Sequence, residues 1–98
     1  MVKQISWSDE ADAIFEQISS YLLDNYSIQT ANRFADAVYD KIDTLVKYPD
    51  IGRVSSKDAK VRYINIDKHR QMFYEFDGIE LTIVYFWDMR QDPKKRKY

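Results

Sequence analysis

The periodicity of this chain changes at a single place, and that change limits the folds open to it. Before the segment "YPDIGRVSSKDAK" (residues 48–60) apolar residues recur at three- and four-residue intervals; after it they alternate or run continuously. A helical half followed by a stranded half predicts helices gathered on one face of an antiparallel sheet.

In the first half, "VKQISW" (2–7) alternates well enough for a short strand. Ser8 has the character of a helix N-cap, with Asp9 and Glu10 placed where the helix dipole favours negative charge. Ala11, Ile14, Phe15, Ile18, Tyr21, Leu22 and Tyr26 then mark one face of a helix over 9–25. "DNYS" (24–27) interrupts the pattern, and Ser27 is placed to cap a second helix. That helix carries the stripe Ala31, Phe34, Ala35, Val38, Ile42, Leu45 and Val46. Pro49 disfavours helix in the residue before it, so the helix should end near Tyr48. The short break predicts an antiparallel helical hairpin.

Residues 48–60 read as a loop. Beyond it, "KVRYINI" (60–66), "QMFYEF" (71–76) and "ELTIVYFW" (80–87) are rich in β-branched and aromatic residues. "DKHR" and "DGI" separate them, and Asp77-Gly78 is a strong hairpin signal. These three strands should be consecutive antiparallel neighbours. Strict alternation would place Leu81, Ile83, Tyr85 and Trp87 on one face of the last strand, and Val84 and Phe86 on the other. With both faces apolar, a second layer is needed opposite the helices. The expected fold is α+β, in the order β-α-α-β-β-β: an N-terminal strand and helical hairpin packed on one face of an antiparallel sheet. Residues 1–98 are too few for two cores and are expected to form one domain.

Several chemistries are disfavoured. There is no cysteine and one histidine, so neither a thiol nucleophile nor a Cys- or His-based metal site is expected, and no cofactor is implied. Two glycines cannot build a phosphate-cradling loop. His69, between Lys68 and Arg70 in a turn, is poorly placed as a catalytic base. Asp36, Asp40 and Asp43 lie opposite the apolar stripe of their helix, as solvated carboxylates do, and Asp9, Asp12 and Glu16 are read the same way. No apolar run reaches the roughly 18 residues of a membrane span, and a cytoplasmic protein is the expectation.

Charge is distributed unevenly. Residues 1–50 carry four basic and nine acidic side chains, a net of −5; residues 51–98 carry eleven and seven, a net of +4. Arg90, Lys94, Lys95, Arg96 and Lys97 supply that positive excess. With Arg53 and Arg62 they form a candidate binding surface for an anionic or carboxylate-rich partner.

Three stretches together carry a resemblance: "ISWSDEADAIFEQISSYL", "ANRFADAVYDKIDTLVKYPDIGR", and the set "VRYINI", "QMFYEF" and "IVYFWDMRQDPKK". In order and spacing they resemble the RelE/ParE toxins of bacterial type II toxin–antitoxin modules over nearly the whole chain. The resemblance implies a cytoplasmic toxin neutralised by a cognate antitoxin whose C-terminal segment folds over it. That antitoxin would cover an apolar surface left open beyond the central strand, a surface that could also support a homodimer.

Two mechanisms divide the family. RelE-like members cut mRNA on the ribosome with arginine and lysine side chains, often with a tyrosine near the C-terminus. Arg62 and Arg90 match two of those cationic positions and Tyr98 loosely matches the tyrosine. Ile64 and Gln71 occupy the other two positions, and Arg70 is one residue out of step, which reverses its facing in a strand. ParE-like members bind DNA gyrase without bond chemistry. The long helical hairpin and the missing cations favour that branch, with ribosome-dependent RNA cleavage or a non-toxic antitoxin-binding relative as alternatives.

Overall fold

The computed structural model describes residues 2–98. Its elements are β1 (Gln4–Trp7), α1 (Asp9–Asn25), α2 (Ile28–Lys47), β2 (Arg53–Val54), β3 (Val61–Asn65), β4 (Arg70–Phe76) and β5 (Glu80–Asp88), followed by a 3-10 turn at Pro93–Lys95. The strands form one sheet in the order β1-β5-β4-β3-β2. Strands β2 to β5 are antiparallel neighbours, whereas β1 joins the outer edge of β5 in parallel. The expected α+β architecture is present, with a short strand, β2, inside the segment read as a loop.

Both helices start at the expected caps. Ser8 Oγ accepts the Ala11 N–H at 3.0 Å and donates to the Val84 carbonyl at 3.1 Å, so one hydroxyl both caps α1 and ties it to β5. Ser27 Oγ accepts the Thr30 N–H at 3.1 Å. The helix α2 ends one residue before Tyr48, ahead of Pro49. Its buried residues, Phe34, Val38, Ile42 and Leu45, all belong to the predicted stripe, whose Ala31, Ala35 and Val46 are partly buried. On α1 the stripe is shorter than expected. Tyr21 and Tyr26 are exposed, although Leu22 between them is buried.

The helix-side core joins these residues to Ala11, Leu22, Met72, Tyr74, Leu81, Ile83 and Phe86. Trp7, Phe15, Phe34 and Phe86 form its aromatic centre, with ring centroids 5.2–6.4 Å apart. The Asp77–Gly78 turn connects β4 to β5. Gly78 has φ 98°, the left-handed region that glycine tolerates, and Asp77 Oδ1 accepts the N–H groups of Ile79 and Glu80. These bonds, the Glu80 one foremost, hold the Asp77 carboxyl below the usual range.

Strict alternation in β5 is broken. The register pairs Tyr74 with Ile83 but Phe73 with Tyr85, leaving Val84 as an extra residue opposite β4. Such a bulge inverts the facing of everything after it. Leu81, Ile83 and Phe86 therefore face the helices, while Tyr85 and Trp87 turn to the opposite face. The grouping expected from alternation is corrected accordingly.

The opposite face also has its second layer within the chain. Val61, Phe73, Val84, Tyr85 and Trp87 are buried there, and residues after β5 fold back across them. The Tyr98 ring stacks on Phe73 at 5.8 Å and meets Tyr85 edge-on at 5.5 Å. The apolar face expected to lie open beyond the central strand is thus largely covered by the chain's own basic segment.

Candidate functional site

The residues singled out for function do not converge on one place. Arg62 stands opposite Tyr74 in the β3–β4 register. Its Nη1 donates to the carbonyls of Asp50 (3.1 Å) and Gly52 (2.9 Å), so the guanidinium holds the loop before β2. Tyr74, fully buried, completes this clamp: its hydroxyl accepts the Gly52 N–H at 3.0 Å and donates to the Pro49 carbonyl at 2.7 Å. Burial raises the Tyr74 pKa above its ordinary value, against the Gly52 hydrogen bond and nearby Arg62.

Arg90 lies at the other end of the sheet. Its Nε and Nη2 grip Asp88 Oδ1 and Oδ2 at 3.0 and 2.7 Å, a bidentate pair. The Arg90 side chain and main-chain N–H together hold the Asp88 carboxyl at about 2, and the same pair raises the arginine. The row of Tyr74 lies four residue steps along β4 from the row of Arg70 and Asp88, which is about 13 Å of strand. Arg62 and Arg90 therefore serve separate places and cannot grip one phosphate together.

Arg70 pairs with Asp67 at 3.5 Å and lies over the Phe34 ring. With Arg90 and Asp88 it lines a groove of about 420 Å³ whose other wall is Ile14, Ile18 and Tyr21 of α1. His69 sits in the β3–β4 turn, where its carbonyl accepts the Met89 N–H at 2.7 Å. Asp36, Asp40 and Asp43 are exposed, as their helical position implied.

The basic segment is tied down more than its composition suggested. Lys94 and Lys95 are exposed on the 3-10 turn capped by Asp92. Lys97 Nζ donates to Glu10 Oε1 at 2.7 Å, and that bond raises the lysine pKa. Lys57 Nζ reaches the Arg96 carbonyl, and Ser55 Oγ donates to the Tyr98 main-chain oxygen at 2.6 Å. The Tyr98 ring is half-buried and packs against Phe73 and Tyr85. Ser55, Lys57 and Glu10 carried no sequence signal for this role, because their partners lie 39 or more residues away.

The Arg53 guanidinium has no ion-pair or hydrogen-bond partner among the described residues. It lines a polar pocket of about 290 Å³ with Ile51, Tyr63, Ile64, Asn65 and Gln71. Sequence reading singled out Arg53 but missed its neighbours, since only strand register brings residues 53, 63 and 71 together.

A strand, a helical hairpin and an antiparallel sheet closed by a parallel N-terminal strand define the fold of the RelE/ParE toxins. Similar solved structures include the chromosomal ParDE system of P. aeruginosa, with TM-score 0.73, 17% identity and coverage of 89% of this chain and 96% of that one. The YoeB/ParE toxin of Agrobacterium tumefaciens is similar at TM-score 0.64 and 13% identity, over 87% and 96% of the two chains. The YoeB dimer of Staphylococcus aureus gives 0.61 and 13%, over 86% and 93%. The sequence profile described as the ParE toxin of the type II toxin–antitoxin system, parDE, matches residues 5–93. The chain belongs to that family, and membership implies an antitoxin partner. No curated protein matches it in sequence.

Proposed function

We propose that residues 1–98 form a single ParE-type toxin domain that inhibits DNA gyrase in the cytoplasm by protein–protein binding and is neutralised by a cognate antitoxin. One observation carries the choice of mechanism. Arg62 and Arg90, the two cations a ribosome-dependent nuclease would need, lie at opposite ends of the sheet and are already engaged, Arg62 with loop carbonyls and Arg90 with Asp88. Phosphoryl transfer requires cations converging on the developing charge. Binding another protein has no such requirement. The family match over residues 5–93 supports the same branch.

The test is induced expression in bacteria lacking the antitoxin, following labelled thymidine and methionine over the first minutes. The proposal expects thymidine incorporation to fall first, and purified protein to inhibit gyrase supercoiling. An earlier fall in methionine incorporation, abolished by Arg90→Ala, would replace it with the RNA-cleaving reading. No fall in either would make the chain a non-toxic antitoxin-binding relative.

A further inference from the structure

Two basic segments far apart in sequence are built into one surface. The first is the loop over residues 55–60. It closes on itself where the Ser55 N–H donates to the Val61 carbonyl at 2.8 Å and the Lys60 N–H donates to Asp58 Oδ1 at 2.9 Å. The second is the turn over residues 92–97, held by the Lys95 N–H on the Asp92 carbonyl at 2.9 Å. Ser55 Oγ and Lys57 Nζ bond the main-chain oxygens of Tyr98 and Arg96, so the two turns lie side by side. Lys57, Lys60, Lys94 and Lys95 are exposed, and among the described residues none of them has a carboxylate partner.

Charge is segregated across the thickness of the fold. Tyr98 docks this surface on the sheet face away from the helices, whereas Asp12, Asp36, Asp40 and Asp43 are exposed on the hairpin packed on the other face. A net charge of −1 thus hides one positive face and one negative face. Composition then sets the ligand. Arg62, Arg70 and Arg90, whose planar forks suit carboxylates, are engaged within the chain. What remains is lysine, a point charge suited to a row of phosphates. Residues 55–60 and 92–97 contain no aromatic and no large apolar side chain. A protein interface needs such an anchor at its centre, and a single-stranded nucleic acid needs rings on which its bases stack. A duplex, whose backbone is held by cations alone, needs neither.

We propose that this lysine face binds the phosphate backbone of double-stranded DNA without reading its sequence. The choice of DNA over duplex RNA rests on the gyrase reading, since gyrase holds duplex DNA beside whatever docks on it. The face adds a contact to the nucleic acid that protein–protein binding alone does not supply.

The experiment is fluorescence anisotropy of a labelled, mixed-sequence DNA duplex of about 20 base pairs with the full chain, at about 50 to 200 mM salt. The expected result is saturable binding with a log–log salt slope of about −3 to −4, as about four phosphate contacts imply. Lys94→Ala with Lys95→Ala is expected to weaken binding at least about tenfold and to make the slope shallower by about 2. Arg33→Ala with Lys41→Ala removes the same charge from α2 and is expected to leave affinity within about twofold. Equal losses in the two double variants would overturn the proposal, because net charge rather than this face would then govern binding. Tighter binding of single-stranded or duplex RNA, or of poly-L-glutamate, would overturn it in favour of an RNA or an acidic protein. Supercoiling assays with the same variants separate this inference from the proposed function. Gyrase inhibition without duplex binding would overturn the inference alone, whereas duplex binding without inhibition would uphold the DNA face and overturn the gyrase reading.

Discussion

The Tyr74 hydroxyl sits between the Gly52 N–H, which it accepts at 3.0 Å, and the Pro49 carbonyl, to which it donates at 2.7 Å. A side chain at residue 52 would place its Cβ 2.5 Å from that oxygen and 2.8 Å from the ring. Gly52 is thus required by the closeness of Tyr74. The loop that separates the helical and stranded halves is set by one phenol in the core.

Tyr74→Phe leaves a buried N–H and carbonyl unpaired, and should cost about 1–3 kcal/mol. Gly52→Ala must displace a fully buried ring and should cost a similar amount or more, about 1–3 kcal/mol. Urea denaturation of both variants checks this. A loss below 0.5 kcal/mol, a threshold of about the scatter of neutral surface changes, would show that the clamp is dispensable.

Arg62→Ala should destabilise the chain through the Asp50 and Gly52 carbonyls it releases, by about 1–2 kcal/mol. Arg62→Lys should recover only part of this, since an ammonium lacks the planar fork. Denaturation midpoints, with hydrogen exchange at Ile51 and Arg53, separate this positioning role from one in toxicity.

The Asp88–Arg90 pair gives a defined acid dependence. The Asp88 carboxyl is held at about 2 in the fold, against 3.8 ordinarily. Its contribution is therefore complete above about pH 4 and lost as pH falls through 2. Because Arg90 is largely exposed, solvent screening should keep the effect near or below about 1 kcal/mol. Carbon-13 titration of the carboxylates should place the Asp88 midpoint near 2, and Arg90→Gln should return it towards 3.8. An unchanged midpoint in that variant would assign the shift to the main chain.

Tyr98→Ala should cost about 1–3 kcal/mol by uncovering Phe73 and Tyr85, whereas Tyr98→Phe should be near neutral. Thermal unfolding of both variants distinguishes a packed ring from a frayed one. Equal melting temperatures for Tyr98→Ala and the parent would show that the ring adds nothing to the fold.

Much of the fold was legible because the signals were local. Ser8 and Ser27 cap helices through N–H groups three residues away, and the Phe34–Val38–Ile42–Leu45 stripe repeats every turn. What stayed hidden depends on partners distant in sequence. The parallel place of β1, the bulge at Val84 and the docking of Tyr98 all follow from which strand lies beside which. The site was legible only in composition. Arg53, Arg62 and Arg90 were identifiable as cations, but their engagement depends on loop carbonyls and strand register that no spacing encodes.

The extra residue at Val84 works as a parity switch in β5. Before it, odd-numbered positions look toward the helices; after it, even-numbered positions do. A relative whose strand lacks the extra residue can be aligned along β5 only with a one-residue slip allowed there. Without that slip, the ring of Phe86 would be compared with rings from the wrong side of the sheet, and helix-facing and outward-facing positions would be averaged into one meaningless column.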